Sequence, residues 1–464
     1  MSEQKKSFPA PIPFRKLIGP SFIILALGLG SGEVILWPYL ASNYGLGIAW
    51  GAIVGITFQY FINMEIERYA LVRGESVFVG IEKYWRLAPY WFILSTFAGF
   101  GLPGIIASSA QVFSSLFGFE SFRWIAILFL VATGLILSSG KTVYGLMERL
   151  TKTVILVGVP LVFLVTVWLS THADWAALLG GMAGRGNGYV FFPEGIALAT
   201  FLAAFAYSGA GGNLNLTQSI YVKEKGYGMG KYATKLAGLF RHDGIEQEIR
   251  LEGIASSQNA QDKRNFAVWW RRISLEHALV FWLIGGVSIL LLMLLAAVTT
   301  NGLYGNGHGI QFVINEGIAI GQRLSPAIGS GFLLVVSILL FQTQLGVLDS
   351  TSRIMAENAA MARMRRTGSK KIALSKIYFF FLWAQIAFGI VLFLFGISEP
   401  KTLLVLGACL NAVAMFVHIG LVGVLNYRSI PKCFQPSKLR RLLLIAIFLF
   451  FGFFSGFVLV QSLT

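Results

Sequence analysis

The sequence predicts an all-α integral membrane protein. Three observations carry that prediction. Of 464 residues 56% are hydrophobic, only 12% are charged, and apolar runs recur from Ile18 to Leu463 with short polar gaps between them. Soluble domains carry about twice that charged share, and a run of roughly 20 apolar residues is the length that crosses a bilayer as a helix. Since unpaired backbone groups are prohibitive in hydrocarbon, each run is read as helical.

In chain order the runs give spans at 18–41, 46–68, 89–116, 122–139, 153–171, 194–222, 274–299, 327–350, 374–397, 402–426 and 441–462, eleven in one membrane domain over 1–464. The polar, basic segment 1–17 reads as a cytoplasmic tail, and the apolar run after it is too long for a signal-peptide core. Gly101-Leu102-Pro103-Gly104 predicts a kink in the third span. The long polar connection 223–273, with short apolar groups such as Leu236–Phe240, reads as a solvated cytoplasmic loop with some amphipathic helix. Trp37, Trp50, Trp91 and Trp124 fall near span ends, where an interfacial aromatic belt belongs.

The formal net charge of +16 would point a soluble chain toward nucleic acid. Here its placement decides otherwise. With the amino terminus inside, only Arg123, Arg185, Arg323 and Lys401 of the 37 Lys and Arg fall outside, so the positive-inside rule predicts N-in and C-out in a cell membrane, with lipid as partner and no nucleic acid. The two cysteines, Cys409 and Cys433, make neither a disulfide framework nor a metal motif. No clustered nucleophile, base or cofactor motif points to an enzyme.

Spans one and six each carry a glycine cluster near mid-span: Gly28-Leu29-Gly30-Ser31-Gly32-Glu33 and Tyr207-Ser208-Gly209-Ala210-Gly211-Gly212-Asn213. Glycine tolerates strained dihedrals and lets a ligand approach the main chain. Clusters at matching positions of oppositely oriented halves, 18–171 and 194–426 with the eleventh helix appended, predict a five-plus-five inverted repeat with broken first helices. That is the layout of the leucine-transporter fold. Unwound backbone can replace a cation's hydration shell or hold an anionic group, so both clusters are candidate substrate-binding segments.

Glu33 is the sharpest single feature, because intramembrane carboxylates face a cavity and bind a cation, a proton or a cationic partner. It is the candidate metal ligand. In span eight, Gln342 and Gln344 are candidates for a polar pathway. Asp349 could hold a coupling proton or sodium, or simply pair with Arg353 one turn later at the span's cytoplasmic end. Asn215 and Gln218 are read as polar groups near the sixth break or, equally well, as helix-to-helix hydrogen bonds, and Gln385 and His418 as bundle hydrogen bonds. The run Asn63-Met64-Glu65-Ile66-Glu67-Arg68 is read as a charged interfacial terminus.

These residues resemble the Nramp superfamily of divalent-metal transporters, in its divergent Nramp-related branch. The resemblance rests on Gly19-Pro20-Ser21-Phe22 before a broken first helix, on the run from Gln344 to Asn358, and on Glu224-Lys225-Gly226-Tyr227. It implies a secondary active transporter working by alternating access. The family's Asp-Pro-Gly-Asn corresponds to Gly30-Ser31-Gly32-Glu33, and its Met-Pro-His approximately to Gly211-Gly212-Asn213. Without the thioether, the implied donors are oxygens, which suit hard or partly hydrated cations such as Mg²⁺ or Mn²⁺. The family's third-span acids are missing too. Gly30-Ser31-Gly32 is also similar to the Gly-Ser-Gly of amino-acid/polyamine/organocation transporters. That similarity implies an organic solute whose body fits beside Gly209–Gly212.

Overall fold

The computed structural model describes residues 5–17, 19–28, 30–139, 143–235, 246–303 and 305–463. The apolar group Leu236–Phe240 lies outside them, as do Leu29 of the first glycine cluster and Lys141.

The first span is divided into α1 (Pro20–Gly28) and α2 (Trp37–Tyr44), joined through a π-helical turn at Gly32–Leu36. α3 (Ala49–Arg73) and a short α4 (Val77–Glu82) follow. The third span bends between α5 (Ala88–Phe100) and α6 (Gly104–Phe117), with Pro103 at the cap of α6 where its missing N–H costs nothing. α7 (Phe122–Ser139), α8 (Val143–Leu169) and α9 (His172–Met182) complete the first half.

The second half opens with another divided span. α10 (Leu198–Ala206) and α11 (Thr217–Lys225) are separated by an irregular stretch and a 3-10 turn at Gly212–Leu216. α12 (Ala260–His277) runs through a π segment at Ala278–Ile284 into α13 (Gly285–Thr300). α14 (Gln311–Arg323) precedes α15 (Pro326–Thr367), α16 (Leu374–Leu394), α17 (Pro400–Ser429) and α18 (Lys438–Leu463). Among the described residues eight helical runs are long and apolar enough to cross a membrane, and a ninth if the bent α8–α9 pair is one span. At 9 and 8 residues, α1 and α2 each fall short of that length. Leu156, Trp168, Phe395 and Phe453 point outward, as lipid-facing side chains of a multi-pass protein do.

Spans three and eight, equivalent members of the two halves, pack along each other, α15 lying on α5 and α6. α13 packs on α2, and α17 on α10 and the 3-10 turn after it. This frame holds the two divided spans against each other at its centre.

Four expectations change. Trp37 is not interfacial: it is fully buried, and its indole N–H donates to Ser208 Oγ at 2.8 Å. The 63–68 segment is not an exposed terminus, because α3 runs on to Arg73 and Asn63, Glu65, Glu67 and Arg68 are all buried. Much of the 223–273 connection is packed rather than solvated. Ile249, Trp269 and Ile273 are buried, and the connection clamps the amino-terminal tail through Trp269 Nε1 to the Pro9 carbonyl (3.0 Å) and Phe8 N–H to Asp262 (2.9 Å). Finally, the helix of span eight does not stop near Asp349. α15 continues to Thr367, where Gly368 at φ +68° closes it in the left-handed conformation glycine favours.

Candidate functional site

Both glycine clusters fall where their helices stop. After Gly28 the chain leaves α1, Gly30 N–H turning back to the Gly28 carbonyl at 2.5 Å. In the sixth span Gly209, Gly211 and Gly212 take φ of +118°, +67° and +53°. Only glycine enters that region at low cost, so the residue type itself dictates where α10 ends.

The two breaks are in contact. Gly32 lies against the Tyr207 carbonyl so closely that a β-carbon there would overlap it, and a β-carbon on Gly28 would come within 2.8 Å of the Gly209 backbone. The same position on Gly28 is 2.8 Å from Glu33 Oε1. The Glu33 carboxylate therefore sits at the crossing of the two unwound segments, fully buried. Neither oxygen completes a hydrogen bond. The backbone amides of Glu33 itself, Gly209 and Gly30 face it, and those of Gly30 and Gly209 are also engaged by the Gly28 and Tyr207 carbonyls. α1 and α10 both end here, while the turn at Gly32–Leu36 that leads into α2 begins here with Glu33 in its first turn, so helix poles of both signs meet at the carboxylate. An uncompensated carboxylate in a dry interior is strongly unfavourable. This arrangement offers a buried carboxylate as a hard oxygen donor, which suits a cation or a proton.

The remaining candidates divide into those at the crossing and those away from it. Ser31, Tyr207 and Ala210 are buried beside Glu33's segment and its partner break. Ser208 instead serves structure: its hydroxyl accepts from Trp37 and donates to the Ala204 carbonyl at 3.1 Å. The faces of Gly209, Gly211 and Gly212 are taken by Phe281, the Tyr207 ring with the Ala206 carbonyl, and Asn411. That close packing removes the open space an organic body was expected to use. Asn213 is turned away, its amide donating to Ser95 and Thr96 of α5 at 2.8 and 3.0 Å.

On α15, Gln342 and Gln344 are buried, and Gln342 Nε2 has no partner. Between them Thr343 fills the face of Gly30, bringing a hydroxyl to the first break. Asp349 belongs to a separate cluster. Arg353 Nε contacts both of its oxygens at 3.0 Å and Tyr378 donates to it at 2.7 Å. The i,i+4 pair anticipated from the sequence is present, though in the buried middle of a long helix rather than at its end.

Three supporting residues escaped the sequence reading. Gln59 donates to the Ala206 carbonyl at 2.9 Å, capping the end of α10. Asn411 donates to Tyr207 Oη at 2.8 Å and to the Gly99 carbonyl at 2.9 Å. Thr343 is the third. A lone amide within an apolar span was the available signal for the first two, and an intramembrane hydroxyl gives almost none.

No protein-family model matches the sequence, and no curated protein matches it. Solved structures do. A mutant of the manganese transporter of Eremococcus coleocola superposes with a TM-score of 0.68 at 10% identity, covering 98% of this chain and 88% of its own. The same transporter in complex with an aromatic bis-isothiourea compound gives 0.66 at 11% identity, with the same coverage. MhsT in complex with L-phenylalanine gives 0.50 at 14% identity, covering 95% of this chain and 98% of its own. Two divided first helices meeting at a shared crossing, paired third and eighth spans and these superpositions together establish that the chain adopts the leucine-transporter fold, in the arrangement of the manganese transporter.

Proposed function

We propose that the protein is a secondary active transporter that moves a divalent metal cation across the cell membrane by alternating access. Its 464 residues form one domain of eleven crossings, N-in and C-out, with 18–171 and 194–426 as inverted halves and the two breaks as the site. The observation that carries this reading is Glu33: a fully buried carboxylate with two unsatisfied oxygens, set between two broken helices. Glu33, the carbonyls released at the breaks and the hydroxyl of Thr343 make an all-oxygen donor set. Such a set favours a hard or partly hydrated ion, Mn²⁺ or Mg²⁺. The superposing manganese transporter supports the same substrate class.

A small organic solute is the weaker alternative. MhsT with its bound L-phenylalanine shares the fold, but Phe281, Asn411 and Tyr207 fill the glycine faces that an organic body would need.

The test is uptake by the purified protein in liposomes. The metal reading predicts Mn²⁺ or Mg²⁺ accumulation that Glu33→Gln and Glu33→Ala abolish. Removing one member of a buried charge pair costs roughly 3–5 kcal/mol, and so should weaken apparent metal affinity by about two to four orders of magnitude. Uptake unchanged in both variants removes Glu33 from the site. Stabilisation by amino acids but not by metals in a thermal-shift screen would select the organic alternative.

A further inference from the structure

α17 and α18 pack on each other, but next to the connection 430–437 they part around a groove of about 450 Å³. One wall is made of small residues. Gly420 and Gly423 of α17 line it, and at Gly423 nothing stands within 4 Å of where a β-carbon would be. Leu444 and Phe448 of α18 form the other wall. Val424 and Ile445, which also line it, are about half exposed, so the groove opens on the outside of the bundle, where lipid chains lie.

The end of the groove nearest the connection is polar, and its polar groups are incompletely used. Arg428 stands in the last turn of α17 and Arg441 near the start of α18. Arg441 is held in place: its Nε donates to the Pro436 carbonyl at 3.1 Å and its Nη2 to Gln435 Oε1 at 2.9 Å. Gln435 is fixed in turn by the Tyr427 and Ile430 carbonyls at 2.8 and 2.9 Å. Among the described residues neither Arg428 nor Arg441 pairs with a carboxylate, whereas Arg440 and Arg68 both pair with Glu65, at 3.1 and 2.8 Å. No acid stands in the first turn of α18 to answer its positive pole.

Asn426 adds an independent sign of a ligand. It lines the same groove and is fully buried, and its amide donates to the Glu65 carbonyl at 2.9 Å and to Glu65 Oε2 at 3.2 Å. Both partners are acceptors, which fixes the orientation of the amide. Its Oδ1 is then the atom left without a partner, a buried acceptor waiting for a donor.

An apolar groove with two unpaired guanidinium groups at one end has the polarity of an anionic phospholipid, and basic pockets between membrane helices bind such head groups. We propose that this groove binds an anionic phospholipid of the phosphatidylglycerol type. An acyl chain lies over Gly420 and Gly423, the phosphate meets Arg428 and Arg441, and a head-group hydroxyl donates to Asn426 Oδ1. With the amino terminus inside, this end of α17 faces the cytoplasmic leaflet, where anionic lipids set the surface potential. None of these residues belongs to the Glu33 crossing, so binding can be read without transport.

The experiment titrates the full chain in detergent with phosphatidylglycerol or phosphatidylcholine, counting bound lipid by native mass spectrometry and following the melting temperature. Phosphatidylglycerol should bind and raise the melting temperature. Phosphatidylcholine, zwitterionic and without a head-group donor, should do neither at the same concentration. Arg428→Gln and Arg441→Gln should each raise the half-saturating phosphatidylglycerol concentration about five-fold, the effect of one cation at a membrane surface. Gly423→Leu, whose side chain enters the open space, should abolish binding with both guanidinium groups still present. Arg264→Gln, at an exposed position of α12 outside the groove, should change nothing.

Equal binding of the two lipids by the wild type overturns the proposal, whatever the variants do. A loss from Arg264→Gln as large as those from the groove arginines would show diffuse attraction and overturn it too, as would binding that Gly423→Leu leaves intact. A wild-type dimer that Gly423→Leu dissociates would assign the groove to a second copy of the chain instead.

Discussion

Replacing Gly32 by alanine tests whether contact between the two breaks is what makes the site. The new methyl group would overlap the Tyr207 carbonyl, with Tyr207 Cβ only 3.0 Å away. Neither side has room to yield. The carbonyl is fixed by Gly209 N–H at 2.8 Å, and Gly32 opens the π turn whose Ser31 carbonyl takes Leu36 N–H at 3.1 Å. Overpacking of this kind costs about 1–3 kcal/mol, which corresponds to roughly a 5- to 150-fold loss in the population of the closed crossing. The expected result is a matching fall in apparent Mn²⁺ affinity, measured from initial uptake rates in liposomes. Gly331→Ala serves as control: nothing lies within 4 Å of a β-carbon there, and within a helix alanine gains about 0.5–1 kcal/mol over glycine. If Gly32→Ala takes up metal with wild-type affinity, contact between the breaks is not part of the site.

Other expectations follow from the same geometry. Trp37→Phe removes the donor to buried Ser208 and should destabilise by about 1–3 kcal/mol, read as a lower melting temperature in detergent. Asp349→Asn leaves buried Arg353 without its charge partner and should destabilise by roughly 3–5 kcal/mol. Metal dependence of uptake should survive it, and its loss would return Asp349 to the transport site. The amino-terminal tail should respond to acid. Desolvation works against the Asp262 carboxylate, but bonds from Ser257, Phe8 N–H and Ser256 outweigh it and hold its pKa below the usual aspartate value. With a depressed folded pKa, that contribution is present in full above the unfolded value of about 3.9 and is lost as pH falls through the lower folded value. Hydrogen exchange at Phe8 should therefore be slow at pH 5 and rise below pH 4. An exchange rate tracking only intrinsic pH dependence would contradict the clamp.

The sequence made the fold legible because hydrocarbon permits so few backbone solutions. Long apolar runs must be helices, and glycine clusters at equivalent positions of two halves mark where helices stop. Glu33 was legible for the same reason, as a charge in a place where charge is costly. Tertiary partners were not. Trp37 occupies the sequence position of an interfacial aromatic, yet Ser208, 171 residues away, takes its N–H. Asn63 and Glu67 look like a solvated helix end until the 223–273 connection and α12 are seen packed over them. Thr343 carries no signal because an intramembrane hydroxyl usually bonds its own helix. The reach of α15 was missed because the helix beyond Asp349 is rich in polar and charged residues and leaves no hydropathy signature.

The central claim is that Glu33 and the two breaks hold the transported ion. Anomalous scattering from crystals of the protein grown with Mn²⁺ tests it most directly. The account predicts a peak within about 2–2.5 Å of a Glu33 carboxylate oxygen, flanked by backbone carbonyls of both breaks. A peak confined to another part of the molecule, or saturating Mn²⁺ with none beside Glu33, would contradict it.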